Sequence, residues 1–340
     1  MRVSAIVVGL GVRGRDWIRE VSSHPHFELA ACVDTDRETL ETVRSGSGLS
    51  ADRCFTELEE ALAKINCDAV IVATPSERHV EDCSSVLTQA RALLVEKPFT
   101  MRLPEAVKLV KLSEQKGVPI VVGQNYRYMR SFRTARRIVN EGALGCMGFV
   151  VCQYYRVPHA IASWLKSLED NVLFGIGVHH LDALRYSLGQ KVTGVLAESF
   201  TRPGNSLAKG ATIQVMLRFD QEIRGLYTAS YESSGHEFFE KGQEFYARYV
   251  GERGTLHVFQ RWLMLCEKGR LPRLVRRGTR PVSEERILLE QLHDGIINGA
   301  EPDASGCDNL QTMAVVEACL QSSCEQRWKD PQQLLLEAGV

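Results

Sequence analysis

The chain has 340 residues, of which 44% are hydrophobic and 24% are charged, a balance that is ordinary for a globular enzyme. This length exceeds what a single hydrophobic core usually supports, so we expect two domains. Because Lys and Arg (41 together) balance Asp and Glu (42 together), no large charged field favours nucleic acid or an anionic membrane as a partner.

Neither the N-terminus nor the cysteine pattern favours a secreted or membrane protein. The apolar stretch from Met1 to Gly11 lacks the long apolar core and small-residue cleavage site of a signal peptide. No stretch reaches the roughly 18 uncharged residues that a transmembrane helix requires. The ten cysteines are scattered without a C-x-x-C pair, which favours reduced thiols over a disulfide framework or a zinc ribbon. We therefore expect a cytoplasmic protein.

The first 123 residues alternate apolar runs with amphipathic segments, which predict strands and helices respectively. In chain order the predicted elements are strand Val3 to Val8, helix Arg13 to Ser23, strand Glu28 to Val33, helix Arg37 to Ser45, strand Ala69 to Ala73, helix His79 to Ala90, strand Ala92 to Val95, helix Pro104 to Lys116 and strand Pro119 to Val122. This alternation implies right-handed crossovers and a parallel sheet covered on both faces, so the fold class is α/β with a doubly wound N-terminal domain.

After about Gly123 the pattern changes from alternating elements to longer strand-like runs. A helix from Ser131 to Glu141 precedes the first of these runs. The further predictions are strand Phe149 to Arg156, helix Leu181 to Ser187, strands Val192 to Thr201, Ala211 to Phe219, Ile223 to Tyr231, Glu244 to Val250 and Trp262 to Cys266, and helices Glu284 to Ile297 and Asn309 to Cys324. Neighbouring strands joined by short turns indicate a mostly antiparallel sheet.

Gly9, Gly11 and Gly14 have the spacing G-x-G-x-x-G between the first predicted strand and the first predicted helix. In a dinucleotide-binding loop the first glycine permits the turn, the second lets the backbone approach the pyrophosphate, and the third lets the helix pack on the strand. The N–H groups of the helix N-terminus, which includes Val12 and Arg13, would hold the phosphates. A glycine turn without a ligand is the alternative interpretation.

Asp34 lies twenty residues beyond Gly14, at the end of the second predicted strand. A carboxylate at this position accepts hydrogen bonds from the adenosine ribose hydroxyls and repels a 2′-phosphate. Asp34 therefore favours NAD as the cofactor. Arg37 is close enough in the sequence to weaken that preference, so NADP stays open.

Four further motifs, taken with the glycine loop, resemble the glucose–fructose oxidoreductase / inositol dehydrogenase / MocA family of nicotinamide-dependent sugar and polyol dehydrogenases. The most specific is Glu96-Lys97-Pro98, directly after the fourth predicted strand. The others are similar to a Thr-Pro cofactor loop, a domain-crossing segment and a G-x-H-x-x-D active-site helix, and they are Thr74-Pro75-Ser76 with His79, Val122-Gly123-Gln124-Asn125-Tyr126-Arg127, and Gly177-Val178-His179-His180-Leu181-Asp182. The resemblance covers nearly the whole chain.

The resemblance implies a Rossmann domain over residues 1–123 and a substrate-binding and oligomerisation α/β domain over residues 124–340, built on a large open sheet. It implies NAD(P)-dependent oxidation or reduction of a small-molecule sugar, cyclitol or polyol. It also implies a homodimer or homotetramer. Within the cofactor site it assigns contacts to Thr74, Pro75, His79, Glu96 and Asn125, besides the glycine loop.

Lys97 is the first predicted catalytic residue. It follows a buried strand at the carboxyl end of the predicted sheet, where ligands bind in open α/β sheets. An ammonium near the reacting oxygen stabilises a developing alkoxide and can donate a proton in the reverse direction. Glu96 is a candidate to orient the lysine or the cofactor amide. We also predict, as a hypothesis, that the Lys97–Pro98 bond is cis.

His179 is the second predicted catalytic residue, as a general acid–base group, because imidazole titrates near neutral pH. Asp182 lies about one helical turn further on and is expected to orient His179 or contact the substrate. His180 points away from His179 on a helix, so only one of the two fills the family role easily. A His–Asp metal site is the competing idea, but no third ligand has suitable spacing.

Gly175 departs from the family pattern, because many members carry Asp four residues before the histidine. A glycine cannot orient the imidazole or relay a proton. Three alternatives stay open: His179 acts with Lys97 alone, another carboxylate such as Asp182 substitutes, or oxidoreductase activity is altered or lost.

The candidate substrate contacts are polar and aromatic residues of the second predicted domain: Tyr126, Arg127, Arg156, His159, Trp164, Lys166 and His180.

The leading function is an NAD(P)-linked dehydrogenase or reductase. The alternatives are NAD-assisted elimination or glycoside cleavage without net redox, and a nucleotide-sensing regulator without turnover. Net absorbance change at the nicotinamide separates the first from the other two.

Overall fold

A computed structural model describes residues 2–158, 161, 163–233, 243–276 and 282–340, without the side chains of 163 and 164. The chain divides into two compact units. The first comprises Met1–Asn125 and Val282–Met313, and the second comprises Tyr126–Pro281 and Ala314–Val340. The first unit thus takes in a C-terminal segment that the boundary predicted from the sequence leaves in the second domain.

The elements are numbered in chain order within the described residues. The strands are β1 Val3–Val8, β2 Phe27–Val33, β3 Cys54–Phe55, β4 Ala69–Val72, β5 Ala92–Val95, β6 Ile120–Val122, β7 Met147–Arg156, β8 Val192–Phe200, β9 Thr212–Phe219, β10 Arg224–Ser230, β11 Gln243–Gly251, β12 Gly254–Phe259, β13 Leu263–Glu267 and β14 Arg273–Val275. The helices are α1 Val12–Ser23, α2 Arg37–Ser47, α3 Leu58–Lys64, α4 His79–Leu87, α5 Leu103–Lys116, α6 Arg130–Asn140, α7 Ser163–Lys166, α8 Val178–Leu188, α9 Glu284–Asn298, α10 Gly306–Glu325 and α11 Pro331–Glu337.

The first unit contains a six-stranded sheet of order β3-β2-β1-β4-β5-β6. Its neighbouring strands all pair in parallel. The strands β4 and β5 are buried at every residue, as expected when helices cover both faces of a parallel sheet. The predicted doubly wound α/β domain is therefore confirmed.

Local sequence signals fix the helix ends in this unit. The Asp36 side chain accepts hydrogen bonds from the backbone N–H groups of Glu38 and Thr39 and so caps α2. Gly48 and Gly117 follow α2 and α5 in the left-handed conformation, where a side chain would be strained. Most predicted boundaries in this unit fall within three residues of the observed ones.

The second unit contains an eight-stranded sheet of order β14-β13-β12-β11-β7-β10-β9-β8. Within the described residues of this sheet, β7 and β10 pair in parallel and the other neighbouring strands pair antiparallel. Along β9, exposed residues alternate with buried ones, so one face of the sheet is packed and the other is more open. The predicted mostly antiparallel sheet is confirmed.

Several short elements were not predicted. The strand β3 has two residues and α3 has seven, which is too short for a clear hydrophobic period. The helix α8 begins three residues before the predicted start and follows a π-helical turn, Leu173–Gly177. Glycines in this turn weaken the helical signal. Among the described residues, no helix has both the length and the apolar character needed to cross a membrane.

Candidate functional site

The loops at the carboxyl edge of the six-stranded sheet contain the cofactor residues predicted from the sequence. Because the strands are parallel, the segments that follow them emerge at the same edge. The glycine loop follows β1, Asp34 follows β2, Thr74 follows β4, Lys97 follows β5 and Asn125 follows β6. Residues that are far apart in the chain are thus gathered at one edge of the first unit.

The three glycines of the loop have different surroundings. Gly9 has a φ of +82°, and a Cβ there would lie 2.7 Å from the backbone of Ala73 and Thr74. A Cβ at Gly14 would overlap the carbonyl oxygen of Gly9. A Cβ at Gly11, in contrast, would meet nothing within 4 Å. Packing within the chain therefore requires Gly9 and Gly14, whereas Gly11 borders open space that suits the approach of a pyrophosphate.

The N-terminus of α1 has no anionic partner of its own. Its N-cap residue is Gly11, which makes no side-chain capping bond, and the first turn has no acidic residue. The backbone N–H groups of the first turn and the positive end of the helix dipole favour an external anion. Val12, the first residue of α1, has 71% of its surface exposed. The loop therefore fits the phosphates of a dinucleotide.

Asp34 supports the glycine loop as well as being available to a ribose. Its Oδ2 accepts a hydrogen bond from the Leu10 N–H at 2.6 Å, and its Oδ1 accepts one from the Asp36 N–H at 2.9 Å. A carboxylate has about four lone-pair sites, so two remain for hydroxyl donors. The sequence did not predict the support that Asp34 gives to Leu10.

His79 braces two loops of the cofactor edge. It is fully buried, with Nδ1 2.9 Å from the carbonyl oxygen of Pro98 and Nε2 3.1 Å from that of Thr74. The Thr74 hydroxyl donates to Asp82 at 2.6 Å, whereas Pro75 is exposed. These contacts show that His79 positions the Thr74 loop, and its predicted contact with a cofactor stays a prediction.

Glu96 is the centre of a charged network. Its carboxylate is buried and accepts hydrogen bonds from Arg13 and from the indole of Trp17, each at 2.9 Å, and from the Lys97 N–H at 3.2 Å. Arg13 also donates to Glu285 of α9 at 3.1 Å. A buried carboxylate is stable only when paired in this way. Glu96 and Arg13 therefore fasten α1 to the end of β5.

Asn125 joins the same network through Glu285. Its side-chain nitrogen donates to Glu285 at 3.0 Å, and its buried Oδ1 has no hydrogen-bond partner within the described residues. This oxygen is an acceptor available to a bound group. Sequence reasoning missed Glu285 and Trp17, because the first is 160 residues from Asn125 and nothing local relates them.

Lys97 follows the buried β5, and its bond to Pro98 is cis, as predicted. The side chain is half-buried. Burial lowers the pKa of Lys97 to about 8, with Glu96 opposing and Arg13 reinforcing the shift. An amine of this pKa gains and loses a proton near the pH at which enzymes work, as a general acid–base group must.

In the second unit His179 lies on the first turn of α8. Its imidazole stacks on the ring of Tyr126, with centroids 4.2 Å apart and an interplanar angle of 12°. Only 6% of His179 is exposed. The structure thus brings together two predicted residues that are 53 positions apart in the chain.

Arg127 and Asp182 form a buried ion pair. Nε and Nη2 of Arg127 donate to the two carboxylate oxygens of Asp182 at 2.6 and 2.7 Å, and Arg185 lies 3.8 Å from the same carboxylate. Asp182 is fully buried and Arg127 is 2% exposed. These contacts give Asp182 and Arg127 a positioning role at α8, and the predicted roles of Asp182 at His179 and of Arg127 at a substrate stay predictions.

His180 is enclosed by aromatic rings. Its neighbours are Tyr126, Tyr154, Tyr227 and Phe245, and its Nδ1 lies 3.1 Å from the hydroxyl of Tyr227. Burial lowers the pKa of His180 to about 3, so the ring stays neutral. His180 is therefore a buried residue that joins α8 to the sheet, and its predicted substrate contact stays a prediction.

The remaining predicted substrate residues are only partly described. Arg156 ends β7, is half-buried and lies close enough to Tyr154 to lower the pKa of that phenol against the larger effect of burial, which raises it to about 12. Lys166 is half-buried at the end of α7. His159 and the side chain of Trp164 lie outside the described residues. No group of three His, Cys, Asp or Glu residues suited to a metal ion occurs in the part of the chain that is described.

Gly175 has no room for a side chain. A Cβ there would lie 2.5 Å from the hydroxyl oxygen of Tyr231 and 2.9 Å from Cδ2 of Leu165. Tyr231 is 2% exposed, and burial raises the pKa of its phenol, so the hydroxyl is neutral. A neutral phenol therefore occupies the space into which a carboxylate at position 175 would extend.

Two protein-family models match this chain. One, described as oxidoreductase family, NAD-binding Rossmann fold, matches residues 3–124, and the GFO/IDH/MocA C-terminal domain matches residues 132–257. The chain belongs to this family. It is an NAD(P)-binding oxidoreductase, and the resemblance drawn from the glycine loop, the Glu-Lys-Pro segment and the histidine motif is confirmed.

Individual relatives agree over almost the full length. D-apiose dehydrogenase of Paraburkholderia graminis is 24% identical over 352 residues, which cover 99% of this chain and 92% of that protein. Inositol 2-dehydrogenase 2 of Saccharopolyspora erythraea is 24% identical and covers 95% and 93%. An oxidoreductase from Agrobacterium radiobacter in complex with NAD+, L-tartaric acid and magnesium has a TM-score of 0.87 at 20% identity, covering 98% and 100%. The last likeness shows a shared fold.

Gly175→Ala tests the close contact with Tyr231. We expect it to lower the free energy of unfolding by about 1–3 kcal/mol, the usual cost of overpacking. In a Tyr231→Phe background the cost should fall, because the nearest atom is gone. Urea denaturation of the four proteins of this double-mutant cycle measures the difference, and an equal cost in both backgrounds contradicts the contact.

Proposed function

We propose that this protein transfers a hydride between a nicotinamide and a hydroxyl or keto group of a sugar, cyclitol or related polyol. Relatives named D-apiose dehydrogenase and inositol 2-dehydrogenase support this substrate class. The observation that carries the proposal is Lys97, whose pKa is lowered to about 8 and which follows β5 at the same sheet edge as the glycine loop. A proton-transfer group is needed where the hydride moves.

Lys97 is the proposed acid–base group at the reacting oxygen. As an amine it takes the hydroxyl proton during oxidation, and as an ammonium it returns a proton to the carbonyl oxygen during reduction. The nicotinamide, when bound, accepts or supplies the hydride. Glu96 accepts a hydrogen bond from the Lys97 N–H and so holds the backbone that carries the amine.

His179 is the proposed second acid–base group. The stacked ring of Tyr126 holds the imidazole plane, so its nitrogens have a fixed direction. Tyr126, Arg156 and Trp164 remain the proposed substrate contacts, because hydroxyl-rich molecules are held by polar groups beside an aromatic ring. Asp182 contributes by pairing with Arg127, which is a positioning role.

NAD is the proposed cofactor in preference to NADP. Asp34 presents a carboxylate after β2, where the adenosine ribose is held. The glycine loop, Thr74 and Asn125 supply the other proposed contacts. All ten cysteines are free thiols, which supports a cytoplasmic location for the protein.

NADH binding to purified protein tests the cofactor site. We expect Gly11→Val to weaken binding at least about tenfold, equivalent to 1.4 kcal/mol, in a protein that still folds, because a Cβ at Gly11 meets no atom of the chain within 4 Å. Asp34→Asn retains an acceptor for the Leu10 N–H. It should weaken NADH binding and raise the affinity for NADPH relative to NADH.

Isothermal titration calorimetry of cofactor-free protein measures both effects. A folded wild-type protein that binds neither NADH nor NADPH would overturn the proposed function. Unchanged NADH affinity in Gly11→Val would contradict the proposal that the pyrophosphate binds at this loop.

Replacement of Lys97 tests the proposed acid–base group. We expect Lys97→Met to lower kcat about 10²–10⁴-fold while leaving the NADH dissociation constant within a factor of about three. In wild type, oxidation should accelerate as the pH rises through about 8, where Lys97 loses its proton, and reduction should slow over the same range.

Initial rates of absorbance change at the nicotinamide, with D-apiose, inositols and other aldoses and cyclitols, measure these effects. Lys108→Met, an exposed lysine on α5, is the matched control. Full activity in Lys97→Met contradicts the assignment, and release of a leaving group without net NADH formation favours the elimination reaction instead.

We further propose that the protein is a homodimer or homotetramer. The register of the second sheet places Leu196, Met216, Leu226 and Val151 side by side on β8, β9, β10 and β7. Met216 and Leu226 are 48% and 41% exposed. An apolar row across the open face of a sheet suits a subunit contact.

Sedimentation velocity tests this assembly. Wild type should sediment as a dimer or tetramer, and Met216→Lys combined with Leu226→Lys should shift it to smaller species. Leu271→Lys is the control, because Leu271 is 89% exposed and lies outside the row. A monomeric wild-type protein contradicts the proposal.

A further inference from the structure

Two thiols face each other on adjacent strands of the first unit. Cys32 on β2 and Cys54 on β3 are directly paired in the parallel ladder. The Cys32 thiol donates a hydrogen bond to the Cys54 sulfur, with the two Sγ atoms 3.6 Å apart. Cys32 is buried and Cys54 is half-buried, so a small reagent has access to one of the two sulfurs.

The backbone already has the spacing that a disulfide requires. Neighbouring strands lie about 4.7–4.9 Å apart, and the Cα atoms of bridged cysteines are usually about 4.4–6.8 Å apart. Closing the bond therefore requires mainly side-chain rotation. The ladder between β2 and β3 has only two residue pairs, Cys32 with Cys54 and Val33 with Phe55, so a disulfide would cross-link half of it.

The second pair of this ladder leads directly to the cofactor site. The Asp34 N–H donates to the carbonyl oxygen of Phe55 at 3.1 Å, and the Asp34 carboxylate accepts from the Leu10 N–H. A covalent bond one residue before Val33 and Phe55 would restrict the movement of the ladder that holds Asp34. The thiol pair is thus two residues from the group proposed to bind the adenosine ribose.

We propose that Cys32 and Cys54 form a reversible disulfide in response to small-molecule disulfides, and that dinucleotide binding is coupled to it. The Cys54 thiol loses its proton to water, and the resulting thiolate attacks a disulfide R–S–S–R, forms a mixed disulfide and releases R–S⁻, which takes up a proton from water. The Cys32 sulfur then attacks Cys54 Sγ, the second R–S⁻ leaves, and the proton of Cys32 passes to it. Two thiols are oxidised and one external disulfide is reduced to two thiols, so atoms and electrons balance.

The order of attack follows from exposure. The half-buried Cys54 meets the reagent first, because reactive thiols are partly accessible. Burial raises the pKa of Cys32, which keeps it a thiol until Cys54 is modified. The second step is intramolecular, and the two sulfurs are already close together. This proximity raises the rate of attack by Cys32 although only a small fraction of it is thiolate.

Oxidised glutathione is the probe for the test, applied to the full-length protein and followed by mass spectrometry of proteolytic peptides. We expect a peptide linking Cys32 to Cys54 that dithiothreitol reverses. In Cys32→Ser the mixed disulfide with glutathione should accumulate on Cys54, since the resolving thiol is gone. The exposed Cys146, Cys307 and Cys324 are internal controls that the reagent is active.

The redox midpoint is the ratio of glutathione disulfide to glutathione thiol at which half of the protein is cross-linked. The coupling is the change in this midpoint when NADH is bound. This part rests on the proposed cofactor site. Saturating NADH should shift the midpoint at least about threefold, because a ligand that prefers one redox form changes its equilibrium by the ratio of the two affinities. Calorimetry establishes NADH binding beforehand, so a failed cofactor site is recognised separately.

Three results would contradict the proposal. The first is modification of the three exposed cysteines by glutathione with no link between Cys32 and Cys54. The second is an unchanged midpoint in protein shown by calorimetry to bind NADH, which contradicts the coupling. Accumulation of the Cys54 mixed disulfide in wild type, as in Cys32→Ser, would likewise exclude Cys32 as the resolving thiol.

Discussion

Close contact between backbone segments is the constraint on which the carboxyl edge of the six-stranded sheet depends. A Cβ at Gly9 would lie 2.7 Å from the backbone of Ala73 and Thr74, and one at Gly14 would overlap the Gly9 carbonyl. The loops after β1 and β4 therefore pack main chain against main chain. Because these contacts are made by main-chain atoms, Gly9 and Gly14 set how closely the start of α1 approaches the loop after β4, and Gly11 borders open space.

Buried charged groups also stabilise this edge of the sheet. Glu96 is buried at the end of β5 and is stable because Arg13 and Trp17 of α1 donate to it. Arg13 also donates to Glu285 of α9, one of the contacts between α1 and the later segment of the first unit. Arg13 thus links the start of α1 to Glu96 after β5 and to Glu285 on α9. The backbone of Lys97, next to Glu96, is held by this network.

The sequence allowed prediction of whatever is decided locally. Strands of the first sheet are continuous apolar runs, so β1 and β5 were predicted at their observed bounds, and the glycine spacing identified the cofactor loop. Partners of buried side chains were not predictable in this way. Asp182, Arg127 and His180 are polar residues in a family motif, and only tertiary packing decides that the first two pair with each other and that the third is enclosed by tyrosines. Tyr231 had no signal at all, because its relation to Gly175 exists only in space.

The surroundings of α8 determine which of its titratable side chains carry a charge. On α8 the two adjacent histidines differ by about 100° in direction, and burial keeps His180 neutral while His179 stacks on Tyr126. The single carboxylate of the motif, Asp182, is committed to Arg127. At position 175 the space is filled by the neutral Tyr231 hydroxyl. Asp182 is thus held by Arg127, and the lysine, whose pKa is lowered by burial in the first unit, is the acid–base group on which the proposed chemistry mainly depends.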